Sequence, residues 1–154
     1  PVQQAIKNRI YDLCEVDEDY PIAKDGCGVP IFSMPLKNML TGYLNLFTSE
    51  KYQKITQAFR QYPYIIGGEN RLDTKIIQNS DNLVAKVGAC GLCIVVDLEF
   101  ADGLVVKVLD SDMQAREVAT LSMLKKMSWA NIPFDTDIKT LHGEVIGLMK
   151  FIAV

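Results

Sequence analysis

Residues 25–32, Asp-Gly-Cys-Gly-Val-Pro-Ile-Phe, place an acid, a thiol and two glycines within four positions. Each polar residue has an ordinary structural explanation. Asp25 can close its own turn through its side chain, and Cys27 can fill a crowded turn as a small, mostly apolar residue. The segment nevertheless ends a stretch, 17–32, that is too rich in Gly, Pro and acid for a helix or a central strand. Long ordered loops are more often functional than idle, so we expect a chemical role for Cys27.

A second cysteine motif, Cys90-Gly-Leu-Cys93, has the spacing of a zinc or redox pair. A structural zinc site needs further ligands, and the other two cysteines stand apart in the sequence. In an extended chain, residues three apart point to opposite faces. We therefore interpret the pair first as ordinary buried, reduced cysteines. A zinc-binding or interaction module built on Cys27, Cys90 and Cys93 is the alternative from another functional class, and a degenerate ligand-binding domain is a third interpretation.

The overall composition limits the function classes. The 154 residues are 49% apolar, which is enough for the single domain, residues 1–154, that we expect. The net charge is −3 and the longest basic run is two residues, so we do not expect a nucleic-acid partner. No apolar run reaches the length of a membrane span, and no charged-then-apolar leader is visible. These features predict a cytoplasmic protein with no membrane partner.

The first half of the chain has the period of helices. Apolar residues recur at helical spacing in residues 2–13, 36–47 and 52–62, and the third segment ends at Pro63. The stretch that carries Cys27 connects the first two of these helices. We therefore predict a helical first half that holds one long loop.

The second half has the period of strands. Within residues 83–99, alternate apolar residues line one face, namely Leu92, Ile94, Val96 and Leu98. Asp97 and Glu99 fall on the other face, which predicts a strand with one solvent-exposed side. An Asp-Gly turn at 102–103 then predicts a hairpin with an antiparallel return.

The end of the chain predicts one more helix and one more strand. Ser111 and Gln114 form a capping box in front of a helical segment, and residues 144–154 have the composition of a strand. The predicted fold class is therefore α+β. A helical first half is followed by an antiparallel sheet with a C-terminal helix and strand, and that last strand is the fourth strand of the sheet.

Four segments together carry a resemblance to a known family. They are Pro1-Val2-Gln3-Gln4, DGCGVPIFSMPL at 25–36, GGENRLDT at 67–74 and KVGACG at 86–91. In these segments, which span nearly the whole chain in the family's order, the sequence resembles the C-terminal half of the rhizobial-type L-asparaginases. The resemblance implies part of the fold that serine β-lactamases and glutaminases share, within a longer asparaginase chain.

The resemblance implies hydrolysis of L-asparagine to L-aspartate and ammonia, through a serine that a lysine activates and an acyl-enzyme that water clears. Lys86 is similar to the K-T-G lysine of β-lactamases and is the candidate catalytic residue. Val87 replaces the Thr of that motif, and Cys90 replaces a Glu that the family usually has. Ser122 belongs to an S-x-x-K sequence, but it lies deep within the predicted helix and is not expected to be the nucleophile. The chain alone is expected to be inactive, with its nucleophile in the preceding half.

The same resemblance implies a metal and a substrate site. Cys27 is similar to a zinc ligand whose companions, a second cysteine and a lysine, belong to the preceding half. The predicted substrate-binding residues are Asp25, Arg71, Asp73 and Thr74. The guanidinium of Arg71 suits a carboxylate, although a helix cap explains Asp73 and Thr74 equally well. The expected partners are a small amide, and either the N-terminal half or a second copy that covers exposed apolar surface.

Overall fold

Six α-helices and seven strands occur along residues 1–152, the part of the chain that the computed structural model describes. The helices are α1 (Val2–Cys14), α2 (Leu36–Thr48), α3 (Gln53–Gln61), α4 (Pro63–Gly67), α5 (Leu72–Gln78) and α6 (Met113–Lys126). The strands are β1 (Ile22–Lys24), β2 (Pro30–Phe32), β3 (Leu83–Val87), β4 (Leu92–Asp97), β5 (Asp102–Lys107), β6 (Asp137–Lys139) and β7 (Val145–Leu148). The α+β fold class is confirmed, and so are the three predicted N-terminal helices.

The main sheet is antiparallel and has the order β3-β4-β5. Its register pairs Lys86 with Ile94 and Val95 with Leu104. Strand β3 lies at one edge of this sheet, next to α5 along the chain. This arrangement brings the GGENRLDT segment, which leads into α5, close to the strand that carries Lys86.

Helices cover both faces of the main sheet. One face packs against α5 and α6 through a buried cluster that includes Leu72, Ile76, Leu83, Val95, Leu121 and Leu124. The other face packs against α2 and α3 through Phe47, Val84, Ile94 and Val96. The predicted solvent-exposed side of β4 is therefore wrong. Asp97 is 1% exposed, and its carboxylate accepts hydrogen bonds from Asn82 Nδ2 and the Glu99 N–H at 2.8 and 2.9 Å.

Arg60 of α3 fixes the start of β3. Its guanidinium donates to four backbone carbonyls, those of Ile77, Ser80, Asp81 and Leu83, at 2.7 to 3.2 Å. These bonds span the turn from α5 to β3. Through Arg60, the strand that carries Lys86 is thus linked to α3 and to the end of α5.

Two predicted turns and caps are shifted along the chain. The β4–β5 hairpin is confirmed, but its turn is formed by residues 98–101, with Ala101 at φ 50°, and Asp102 and Gly103 already belong to β5. Gly103 is needed there for packing, since a Cβ would lie 2.6 Å from Leu40 Cδ1 of α2. The predicted capping box is also wrong, because the cap of α6 is Asp112, whose carboxylate accepts the Ala115 N–H at 2.6 Å.

Two small hairpins lie outside the main sheet. The stretch predicted to be a loop contains β1 and β2, which pair antiparallel with each other. The predicted fourth strand, β7, pairs with β6 rather than with the main sheet, so the four-stranded sheet is wrong. Ala153 and Val154, the end of that predicted strand, lie outside the described residues. No helix within residues 1–152 combines the length and the apolar character that crossing a bilayer requires.

Candidate functional site

The centre of the candidate site is an ion pair between Asp73 of α5 and Lys86 of β3. Lys86 Nζ lies 3.3 Å from Asp73 Oδ2, and it also donates to the Val87 carbonyl at 2.9 Å. The same Asp73 Oδ2 accepts the Val87 N–H at 3.1 Å, and Asp73 Oδ1 accepts the Thr74 N–H at 3.1 Å. The Asp73 side chain is 1% exposed, whereas that of Lys86 is 33% exposed. A buried carboxylate therefore holds an amine that reaches solvent.

The segment in front of α5 fits closely around this carboxylate. Gly67 ends α4, and a Cβ at Gly67 would lie 2.5 Å from both Asp73 Oδ1 and Thr74 Oγ1. The Thr74 hydroxyl donates to the Gly68 carbonyl at 2.8 Å and lies 3.2 Å from the Pro63 carbonyl oxygen. Thr74 is buried, and the contacts of its hydroxyl hold the turn between α4 and α5. The N-cap of α5 is Arg71, and no side chain bonds to that cap, so the predicted Asp73 cap is wrong.

A cavity of about 490 Å³ opens between α5 and α6. We call it the α5–α6 cavity, and its charged lining residues are Arg71, Lys75, Arg116, Glu117 and Asp135. Lys75 Nζ of α5 lies 3.1 Å from Glu117 Oε1 of α6, so this ion pair joins the two helices that line the cavity. Arg71 is exposed and lines this cavity, which brings one of the predicted substrate-binding residues into a cationic pocket.

A buried thiol lies close to this charged region. Cys93 of β4 is fully buried, and burial raises the pKa of its thiol to about 12. A hydrogen bond from Thr120 and the charge of Arg116 act in the opposite direction but do not offset the burial. Near neutral pH Cys93 is therefore protonated, and a buried thiol with a raised pKa is a poor nucleophile.

The D-G-C-G segment forms the tip of the β1–β2 hairpin. Asp25 Oδ1 accepts the backbone N–H groups of Cys27 and Val29, both at 2.9 Å, so the carboxylate closes its own turn. Gly28 takes a positive φ of 78°. The Cys27 thiol at this tip is exposed. The base of the hairpin is anchored by an edge-to-face contact of Phe32 with Tyr11 at 6.1 Å between ring centroids.

The described residues do not form a metal site by themselves. Within residues 1–152, no three His, Cys, Asp or Glu side chains lie close enough together to hold a metal ion. All four cysteines are unpaired, with Cys27 and Cys90 exposed and Cys14 and Cys93 buried. The module that would combine Cys27, Cys90 and Cys93 is therefore not assembled, and Cys27 offers at most one ligand.

The structure joins some of the predicted residues and leaves others apart. Asp73, Thr74 and Lys86 belong to one network of hydrogen bonds. Asp25 and Cys27 lie in the separate hairpin, and none of the hydrogen bonds, ion pairs or cavities described for residues 1–152 joins Cys27 to Lys86. A common cleft for the thiol and the amine stays a prediction.

Two residues of this region were missed by the sequence interpretation. Gly67 was read only as part of a motif, although its lack of a side chain makes room for Asp73. Arg116 is 5% exposed and faces the core together with Thr120 and Leu124, four and eight residues later. A charged residue at a core-facing helical position is the signal that would have identified Arg116.

Comparison with known proteins identifies the family. The sequence model of the family described as L-asparaginase II matches residues 1–149, which is nearly the whole chain. A search of curated proteins gives no match. An asparaginase function of the general amidohydrolase type follows from the family. The chain belongs to the L-asparaginase II family.

Proposed function

We propose that this chain supplies the Lys86 side of an active site that hydrolyses L-asparagine to L-aspartate and ammonia. In the proposed reaction a serine oxygen attacks the side-chain carboxamide carbon, and the serine proton passes through a lysine to the departing ammonia. Water then adds to the acyl-enzyme ester and releases L-aspartate. Lys86, as an ammonium held at the sheet edge, stabilises the anionic intermediate.

The observation that carries this proposal is the contact between Asp73 and Lys86. A catalytic amine has to be held in one orientation while remaining accessible to substrate. Lys86 meets both requirements, because a buried carboxylate lies 3.3 Å from its Nζ and a third of its side chain is exposed. Asp73, which was predicted to bind substrate, is proposed instead to act through Lys86 as a positioning residue. Substrate contacts by Asp25, Arg71 and Thr74 remain predictions.

The nucleophilic serine is proposed to come from outside residues 1–154. The acceptors of the Lys86 ammonium are the Asp73 carboxylate and the Val87 carbonyl, with no serine hydroxyl among its partners in the described part of the chain. Ser122 of the S-x-x-K sequence lies within α6. A preceding half of a longer asparaginase chain is the proposed source, and association with that half or with a second copy would complete the site.

Zinc is proposed only for the complete protein, with Cys27 as one ligand. Its exposed thiol at a hairpin tip is free to meet ligands from another segment. No catalytic step is assigned to the metal. The four unpaired thiols support a reducing compartment, and we propose a cytoplasmic location.

Release of ammonia from L-asparagine tests the proposal. The 154-residue chain is compared with the protein expressed from its complete reading frame, here called the full-length protein. We expect turnover by the full-length protein and none by the 154-residue chain. Turnover by the purified chain would refute the external nucleophile, and a full-length protein that leaves L-asparagine intact would refute the proposed substrate.

A further inference from the structure

Arg116 of α6 is a buried cation without an acidic partner. Its residue is 5% exposed, and it does not take part in any ion pair within residues 1–152. Its Nη1 has one long hydrogen bond, 3.4 Å to the Gly88 carbonyl, and its buried Nε has no partner in the described structure. Guanidinium groups keep their charge at all physiological pH values. A buried charge that lacks its partner is costly, so this geometry indicates a missing anion.

The acidic groups near Arg116 are engaged elsewhere. Asp73 bonds to Lys86 and to two backbone N–H groups. Glu117 is paired with Lys75 at 3.1 Å, and Asp135 is paired with Lys139 at 2.7 Å. The Cys93 thiol remains neutral because burial raises its pKa to about 12. The partner that Arg116 lacks is therefore not supplied by these neighbours.

We propose that the α5–α6 cavity binds the carboxylate group of a small organic acid or amino acid, with Arg116 as its principal contact and Arg71 as its second. Arg116 and Arg71 both line the cavity, and neither is part of an ion pair within residues 1–152. A guanidinium fork matches the two oxygens of a carboxylate. The volume of about 490 Å³ leaves ample room for such a ligand.

The charges of the cavity favour a single carboxylate over a phosphate. The lining cations are Arg71, Lys75 and Arg116, and the lining acids are Glu117 and Asp135. Lys75 is paired with Glu117 and Asp135 with Lys139, so the two guanidinium groups carry the unpaired charge. A carboxylate brings one negative charge to these guanidinium groups, whereas a phosphate dianion would bring a second negative charge toward the two lining acids. The ammonium of an amino acid would find these acids in the same cavity.

The site is distinct from the proposed catalytic amine. Lys86 does not line the cavity. Lys86 Nζ is held by Asp73 of α5, which is not among the lining residues of the cavity either. Arg116 belongs to α6 and lines the cavity. Binding in the cavity and hydrolysis at Lys86 are therefore separately measurable.

Titration calorimetry of the full-length protein tests the proposal with propionate, L-alanine, L-alaninamide and inorganic phosphate. We expect propionate and L-alanine to bind, and L-alaninamide, which lacks the carboxylate, to bind at least about tenfold more weakly than L-alanine. Tighter binding of L-alanine than of propionate would identify the ligand as an amino acid, and tighter binding of propionate would identify it as a simple organic acid. Absence of binding by both, equal binding of L-alaninamide and L-alanine, or tighter binding of phosphate than of either carboxylate would overturn the proposal.

Three variants locate the site. Arg116→Met is expected to abolish propionate binding and, in the absence of ligand, to raise Tm, because it removes an unpaired buried charge while keeping apolar volume. A purely structural Arg116 would give a lower Tm, and that result would overturn the proposal. Arg71→Gln should weaken propionate binding, whereas Arg9→Gln, a matched loss of an exposed guanidinium outside the cavity, should leave it unchanged. Equal effects of these two variants would also overturn it.

Discussion

Asp73 Oδ2 lies between the Lys86 ammonium and the Val87 N–H, at 3.3 and 3.1 Å. One carboxylate oxygen thus binds the side chain of one β3 residue and the backbone of the next. The Asp73 carboxylate therefore fixes the end of the edge strand β3 and orients the Lys86 amine at the same time. Structure and proposed chemistry both depend on this contact.

Asp73→Asn is expected to destabilise the fold by about 1–3 kcal/mol, because the amide weakens the ion pair and cannot accept all three hydrogen bonds equally well. Urea unfolding followed by circular dichroism measures the change. Asp81→Asn is the matched control, since Asp81 is exposed and, within residues 1–152, its backbone carbonyl accepts a hydrogen bond whereas its carboxylate accepts none. If the two variants unfold at the same urea concentration, the buried carboxylate does not hold this part of the fold.

Gly67→Ala is expected to displace the Asp73 carboxylate. A Cβ at Gly67 would lie 2.5 Å from Asp73 Oδ1 and Thr74 Oγ1, which is far inside van der Waals contact. We expect a loss of about 1–3 kcal/mol, as for other overpacked sites. Gly26→Ala is the control, because nothing lies within 4 Å of a Cβ there. A chemical melt in which Gly67→Ala is no less stable than Gly26→Ala would contradict the geometry.

The Cys93 thiol is expected to make stability fall at alkaline pH. Burial raises its pKa from 9.0 to about 12, so the folded state keeps a proton that the unfolded chain loses. This contribution is complete below pH 9 and is lost as the pH rises toward 12, with a slope of up to roughly 1.4 kcal/mol per pH unit. Urea unfolding across this range measures it. Cys93→Ala should flatten the decline and Cys90→Ala, at an exposed thiol, should not. An unchanged slope in Cys93→Ala would be inconsistent with the buried thiol.

Metal content distinguishes the two roles considered for the cysteines. In the full-length protein, Cys27→Ala is expected to reduce bound zinc, and Cys93→Ala is expected to retain it, because Cys93 is a buried, protonated thiol. Atomic absorption on the purified variants measures this. Loss of zinc from Cys93→Ala with retention in Cys27→Ala would favour the cysteine module instead.

The helices and the fold class were accessible from the sequence because they depend on local periodicity. Residues 2–13 and 36–47 carry apolar residues at helical spacing, and α1 and α2 occupy these positions. The burial of both faces of β4 could not be predicted from the sequence, because it depends on the packing of α2 and α3 onto the second face of the sheet. Asp97 seemed to mark a solvent-exposed side, but it is a buried acceptor for neighbouring donors.

Only part of the candidate site could be predicted from the sequence. Asp73, Thr74 and Lys86 were identified through motif resemblance, and the structure joins them in one network. Gly67 was not selected, because its importance is the space that it leaves. Arg116 was not selected, because its only signal is a charge at helical spacing from Thr120 and Leu124, and an arginine in a helix usually lies on a solvent-exposed face.

The most direct measurement of the central claim is ammonia release from L-asparagine by full-length protein carrying Lys86→Met. If Lys86 is the proposed catalytic amine, kcat falls by roughly 100-fold or more, while circular dichroism shows a folded protein and Lys54→Met, at an exposed lysine, retains the original rate. A folded Lys86→Met variant with an unchanged kcat would contradict the claim.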